Sequence, residues 1–599
     1  MTDKFNAIFS KDNLPAAGLV LLLAVWFPLM WLFGVTAPPW APKPLPAVVP
    51  SVAAPALSPS ASSSMPTAPV PGFPALPAVS SSTPVPMERG ETVTVGSAEF
   101  KAEIDWRNGA VSSVALLKHT QADRRTPIML GGMEKPLGWL HTAAGGLGGE
   151  VKLVKATAGC VVTERALADR GLVVRQEWSV ASDIPYRLAY RVTLENRGAV
   201  AAVVTDWRLG GGAIKPAKEE MLGGFGMPST LSVDVAFADA DRSRAFQAKE
   251  IRKIAEDPAK AGEFAAKGVR WSAAHSKYFV LFIGGAGREI SGVVMNATEV
   301  PESADGKMPK TDILAADLML SPVTLAPGAS QTLDFSLYAG PKEYQQLRRL
   351  NGGAESILQM DLFFWGNFDW MGKISRLILQ GMIWVKTAVG PVWAYGLAII
   401  LITLLVKLLF WPLTHFSTVS MKRMSQVQPL IKEINEKFKE NAQLKQQKIM
   451  ELYREHKINP LMGCLPIFLQ IPVFFALYNV FRCSVELRHA NFLWVTDLSQ
   501  PDTLAFLPYS DMIPIRPLAI LTGVTMLVQQ KITPSSMDPT QAKMMMFMTL
   551  FFAFIFYSMP SGLTLYWTVN QAIGIVQTII TYKLVKDLHL PHLHHAQKA

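Results

Sequence analysis

Six apolar runs divide this chain, and a run of about 20 apolar residues has one natural solvent, the hydrocarbon core of a bilayer. The first runs from Leu14 to Gly34. The others lie near 391–413, 463–483, 515–532, 544–559 and 562–582, the third and fourth of these five being short. Runs of this kind predict helices, because a segment in lipid must satisfy its own backbone N–H and C=O groups. They argue against a wholly soluble protein, as does a composition 50% hydrophobic and 17% charged. A wholly embedded protein is disfavoured too, since 57 Lys and Arg and 47 Asp and Glu are too many for lipid.

The charges separate by region. Residues 88–355 carry 33 basic and 32 acidic side chains, about 24% of the segment, as an ordinary soluble domain does. The remainder is about 12% charged and holds +9 of the chain's net +10. That excess tracks the apolar runs. The loop 422–457 has nine Lys and Arg against five Glu, and the loop 484–514 has one Arg against four acids. Lys4 and Lys11 precede the first run, and Lys583, Lys586 and Lys598 follow the last. Alternating sides puts every basic-rich segment in the cytoplasm. The expectation is six spans, both termini cytoplasmic, and residues 88–350 outside. A cleaved signal peptide is the rival reading of the first run; its long apolar stretch, without a small-x-small site, favours an uncleaved anchor over 1–35.

Residues 36–87 hold 15 prolines among Ala and Ser and cannot bury a core, so they form an extended tether. From about 90 to 345, segments such as ETVTVGSAEFKAEID and YRLAYRVTLENRG alternate apolar with polar between Gly, Asn and Pro punctuation. This predicts a large all-β sandwich. Residues 357–390 mix aromatics with Lys373, Arg376 and Lys386, as an amphipathic helix in the membrane interface does. A helix packed beneath the β domain explains them nearly as well. Within 416–459, Met421, Met424, Val427, Ile431, Ile434 and Phe438 form one helical seam broken at KENAQ, a helical hairpin. Such cationic helices suit anionic lipid or a ribosome. The tail 586–599 is His-rich (His589, His592, His594, His595), with no function assigned.

Catalytic signatures are missing from the sequence. Cys160, Cys464 and Cys483 have no metal-type spacing, and no P-loop, HExxH or GxSxG occurs. No enzyme activity, cofactor or metal is expected. The informative residue is Lys407, in AIILITLLVKLLFWPLT. A lysine at the centre of a span costs roughly 2.5–3.5 kcal/mol on insertion scales. Two readings compete. Its stem could snorkel past Pro412 to the cytoplasmic interface, about 8 Å away at helical rise; or its ammonium could face a water-filled cavity, which Thr403 one turn earlier suits.

Other runs carry polar stripes. Trp567, Asn570, Gly574, Gln577 and Thr581 recur at steps of three and four, Thr522, Thr525 and Gln529 do likewise, and Gln470 interrupts 463–483. Such residues act as glue between helices or share a hydrophilic groove with Lys407 as its charge; the groove explains more of them. Met544, Met545, Met546 and Met548, with the phenylalanines that follow, make an adaptable apolar surface.

The run NPLMGCLPIFLQIPVFFALYNVF (459–481) resembles the YidC membrane insertase family. LLVKLLFWPLT, VELRHANFLWVTDLS, TPSSMDPTQAKMMMFM and PSGLTLYWTVNQ extend the resemblance over most of 357–585. The anchor, tether and external β region ending at AGPKEY look like the Gram-negative form. The resemblance implies a multidomain inner-membrane protein: a periplasmic β-supersandwich over 88–350 and a five-span insertase core over 391–585. It implies a groove in which a cation receives the hydrophilic segment of a nascent membrane protein. Lys407 occupies that cation's motif position, and the polar stripes put Thr403, Gln470, Thr522, Thr525, Trp567 and Asn570 in the same groove. The apolar face touching substrate includes Ile471, Phe474 and Phe556. Implied partners are the Sec translocon, the ribosome and signal-recognition receptor at the cytoplasmic face, and membrane lipid. Two departures stand out. Lys407 lies where bacterial members more often have Arg, which loses a planar fork, and Trp567 lies where some have Tyr, which removes a hydroxyl. The rival class is a small-anion transporter or channel with Lys407 as binding charge, which an inverted repeat would favour; none is evident. A cell-envelope enzyme using the β domain on glycans would need paired carboxylates in a cleft.

Overall fold

The computed structural model describes residues 91–584, except 133–134, 218–219, 221–229, 241, 286–288, 302–309, 351, 364–365, 391–392, 457, 459–464, 508–509 and 533–538. The expected anchor (1–35), tether (36–87) and cytoplasmic tail (586–599) lie outside the described residues.

Period-two alternation builds the first half. Along Arg187–Asn196 the side chains of Leu188, Tyr190, Val192, Leu194 and Asn196 are buried and those between are not, as in a strand with one face on a core. Two nine-stranded sheets result. The first runs Thr92–Gly96, Phe100–Asp105, Ala110–Thr120, Leu137–Thr142, Trp207–Ile214, Thr311–Leu320, Ile290–Val300, with two short strands at its flanks. The second runs Arg244–Phe246, Ser232–Phe237, Val269–His275, Phe279–Gly285, Ser330–Pro341, Arg187–Asn196, Leu172–Val180, Cys160–Leu167, Glu150–Thr157. Their central pairings are antiparallel. The faces meet closely. Gly138, at φ +74°, lies under the Trp178 indole of the other sheet, where any Cβ would strike the ring; only glycine is at ease at that φ and that distance. Trp178 in turn stacks on Tyr190 with centroids 3.9 Å apart.

Helices α1 (Ala248–Ala255) and α2 (Pro258–Ala266) lie against the edge strand Ile290–Val300. Asp257 starts α2 by accepting from the Ala259 and Lys260 amides, and Pro258 fits the first turn, where no N–H is needed. A short α3 (Tyr344–Arg349) leads out of the last long strand.

The helical half opens with α4 (Asp369–Val389), preceded by a 3₁₀ turn and a two-stranded ribbon. Met371, Ser375, Leu379 and Met382 are buried on one side, while Leu377 and Trp384 are about 70% exposed on the other. α5 (Ala394–Gln426) continues well past the expected 391–413 run. Among the described residues it is the one helix long and apolar enough to cross a membrane by length and composition; Phe468–Cys483 and Lys543–Tyr557 are shorter apolar helices. α6 (Gln428–Lys437) and α7 (Ala442–Glu455) form the hairpin, with Asn441 capping α7 through the Leu444 amide at 3.0 Å. The apolar seam packs inside it: Val427, Ile431, Leu452 and Ile458 make a small separate core. The remaining helices are α8 (Leu465–Cys483), α9 (Pro517–Ile532), α10 (Pro539–Tyr557) and α11 (Ser561–Leu584).

α11 is central, packed on α5 and α9, and α10 packs chiefly on α9. Met545, Phe547, Leu550 and Phe554 of α10 are left exposed. α4 is tied to α8 by Ser375 Oγ donating to the Ala476 carbonyl (3.2 Å), and Asn479 Nδ2 of α8 donates to Met360 (3.0 Å). The β domain touches the 484–500 loop through Arg124 to the Thr496 carbonyl and Lys277 to the Ser499 carbonyl (3.5 Å).

Candidate functional site

Helical period sets one stripe of α11 against α5, α8 and α9, and hydrogen bonds trace it from end to end. Near its start, the Thr568 and Thr522 hydroxyls lie 2.6 Å apart, both buried. Gln470 Nε2 of α8 donates to the Tyr566 hydroxyl and to Asn570 Oδ1 (3.4 Å). Further along, Gln529 Nε2 donates to Thr578 (3.4 Å) and Gln577 Nε2 to Thr414 of α5 (2.6 Å). His415 Nδ1 then meets Thr581 at 3.4 Å, and Lys422 Nζ donates to the Tyr582 carbonyl at 3.0 Å. Each contact satisfies groups that lipid could not.

Lys407 sits midway along this seam and takes no part in these contacts. Its ammonium lies over Gly574: a Cβ added there would be 3.5 Å from Nζ and 3.8 Å from Gln529 Oε1. The side chain is half-buried. Among the described residues it has no hydrogen bond or ion pair. A desolvated cation without a counter-charge is costly, and the described residues supply none for this one.

Not every expected residue joins Lys407. Thr403 is fully buried and donates back to the Ile399 carbonyl (2.6 Å), and Thr525 does the same to Thr522 (2.8 Å). Trp567 belongs to an aromatic group, 5.4 Å from Phe474 and 5.1 Å from Phe556, and its indole N–H has no partner among the described residues. Phe556 is 2% exposed beneath these rings, and Ile471 is half-buried. Sequence reasoning missed Tyr566, which offers the hydroxyl one residue before Trp567. Steps of four from it reach Asn570 and Gly574, so the spacing held the signal.

A second polar cluster is buried in the β domain. Ser232 Oγ and Asp234 Oδ1 each lie 3.0 Å from His275 Nε2, and Lys342 Nζ lies 3.1 Å from Nδ1. A hydrolytic triad needs Asp and Ser on opposite ring nitrogens; here both share one, and Lys342 occupies the other. Burial pushes Lys342 down to about 8. The cluster braces the β domain, with Gln359 Nε2 donating to Ser232 (2.9 Å).

A helical region whose longest helix is apolar enough to cross a membrane, joined to a two-sheet β domain, marks a membrane protein with a large β-rich domain. Residues 384–588 match the family described as 60Kd inner membrane protein, and residues 92–375 match the YidC periplasmic domain. A membrane protein insertase YidC from Citrifermentans bemidjiense is 33% identical over 440 residues, 73% of each chain. One from Geobacter metallireducens is 30% identical over 583 residues, covering 93% of this chain and 96% of its own. The chain belongs to the YidC family of membrane protein insertases, proteins of the inner membrane. The crystal structure of YidC from Thermotoga maritima covers 81% of this chain and 98% of its own at 14% identity, with a TM-score of 0.27, too loose a match to add to the fold described above.

Proposed function

We propose that this chain integrates and helps fold inner-membrane proteins through a hydrophilic groove between α5, α8, α9 and α11, with Lys407 as its charge. The observation that carries this is the ammonium over Gly574, without a partner among the described residues, in a seam where Gln470 pairs with Asn570 and Gln577 with Thr414. A polar notch shortens the hydrocarbon path for a translocating tail, and Lys407 attracts an acidic one. The new span then leaves along the exposed apolar surface of α10 and the neighbouring aromatic group. Membrane potential assists an acidic tail outward by about 2.3 kcal/mol per charge per 100 mV. Six spans with both termini cytoplasmic complete the topology. The cationic hairpin α6–α7 then faces ribosomes and the signal-recognition receptor, and the bundle works alone or beside the Sec translocon. The test is depletion of the protein while a small, acidic-tailed membrane protein is followed by protease protection. Loss of its insertion is expected; undiminished insertion overturns the proposal.

A further inference from the structure

Four separate parts of the chain line an open cavity of about 380 Å³ away from the Lys407 seam. Glu343 comes from the end of the β domain, Lys386 and Thr387 from α4, Tyr395 from the start of α5, and Glu486 from the 3₁₀ turn after α8. Their charges are mixed. Glu486 Oε2 is buried with no hydrogen-bond partner among the described residues, and a buried acceptor left unmade costs about 1–3 kcal/mol. Burial, then the nearby Glu343 carboxyl, pushes Glu486 up to about 7, and burial raises Glu343 as well. Glu343 has a weak neighbour in His119 at 3.8 Å, whose own protonation burial suppresses, down to about 4. Gln346 donates to Glu343 and the Tyr344 amide to Glu486, but the nearest lysines, Lys118 and Lys386, act on these carboxyls only from beyond ion-pair distance. Lys386 stays apart from them: its Nζ rests over the Tyr395 ring, 5.0 Å from the centroid, and forms no ion pair within 4 Å of either glutamate.

We propose that this cavity binds the phosphoethanolamine head group of a bilayer phospholipid, its primary ammonium on Glu486 and Glu343 and its phosphate toward Lys386. The unmade oxygen selects the amine, because it needs an N–H donor; a quaternary ammonium has none. The location selects a lipid. Ile383, Lys386, Thr387 and Gly390 of α4 line the cavity, and the adjoining stripe carries exposed Leu377 and Trp384, the surface an acyl chain covers and the residue type that favours a head-group boundary. The inference rests on α4 lying in the membrane interface. A head group there would join the β domain, α4 and the loop after α8.

The test uses the full chain in nanodiscs containing phosphatidylethanolamine or phosphatidylcholine, each with phosphatidylglycerol, and counts retained lipid by native mass spectrometry. The wild type is expected to retain phosphatidylethanolamine about tenfold over phosphatidylcholine, as one charge-assisted hydrogen bond provides. Glu486→Gln and Glu343→Gln reduce that preference below about threefold, and Lys386→Gln weakens retention of both lipids. Thr387→Leu, which crowds the cavity without altering a charge, weakens both too, so the outcome does not hang on glutamate variants that fail to fold. Equal retention of the two lipids by the wild type overturns the proposal, as does a preference that survives both glutamate changes. Melting shifts with soluble phosphoethanolamine, without any lipid preference, overturn the lipid source. The position of α4 is read separately, from quenching by brominated lipid of the emission lost in Trp384→Phe. Insertion is read by protease protection, so each claim can fail alone.

Discussion

Replacing Lys407 in turn with Arg, Ala and Glu separates electrostatic capture from mere packing. An ammonium 4 Å from a tail carboxylate, at an effective dielectric near 20, gains about 4 kcal/mol before desolvation. Lys407 is half-buried and unpartnered, so part of its own desolvation is already spent in the folded state. The tail still loses its hydration, and solvent screens the exposed side, leaving on the order of 1–1.5 kcal/mol, or about tenfold in occupancy. Lys407→Ala should therefore slow insertion of a one-acid tail about tenfold and leave an uncharged tail nearly unaffected. Lys407→Arg should match the wild type, since point attraction needs no fork. Lys407→Glu reverses the sign and should cost about a hundredfold with acidic tails while sparing basic ones. The assay is the initial rate of protease-protected insertion into proteoliposomes at fixed salt, with tails bearing zero, one or two acids. Equal rates for the Glu and Arg variants on acidic tails would refute capture. Equal losses across all three tails would show that Lys407 acts only through stability.

Three further outcomes follow from the packing. Gly396→Ala should destabilise by about 1–3 kcal/mol, because its Cβ would fall 2.7 Å from Phe492 Cβ and closer to the ring, whereas Gly574→Ala makes ordinary contacts at 3.5 and 3.8 Å and should be tolerated; thermal unfolding in detergent compares them, and equal melting temperatures would contradict this. Tyr566→Phe removes an acceptor of the Gln470 amide and should cost about 1 kcal/mol, with Trp567→Phe breaking no hydrogen bond; a double-mutant cycle of Tyr566 and Gln470 showing no coupling would refute the pairing. Glu486 is lifted from 4.5 to about 7, so the folded chain holds a proton that the unfolded chain has lost between those pH values, and this group's contribution to stability falls as pH rises through that window. Glu486→Gln should accordingly gain on the wild type from about pH 5 to 7.5, and parallel stability curves would be the contrary result.

The sequence by itself determined the parts and their chemistry. Period two over 90–345 and the apolar runs beyond 390 each have one physical solution, so the β-rich domain and the helical character of the C-terminal region were legible without coordinates. So was Lys407, because a cation in AIILITLLVKLLFWPLT is expensive wherever its neighbours lie. Tertiary structure decided which faces meet. A helical period identifies a stripe only to within one position, so Trp567 and Tyr566 were both compatible with Asn570 and Gly574; packing turned Tyr566 to Gln470 and Trp567 to Phe474 and Phe556. The same limit applies to Phe556, whose burial depends on side chains from α8 and α11 far away in sequence. The cavity at Glu486 had no signal in the sequence at all. It is made from residues 343, 386, 395 and 486, four segments with no common period, and only their meeting leaves a carboxylate oxygen buried and without a donor among the described residues.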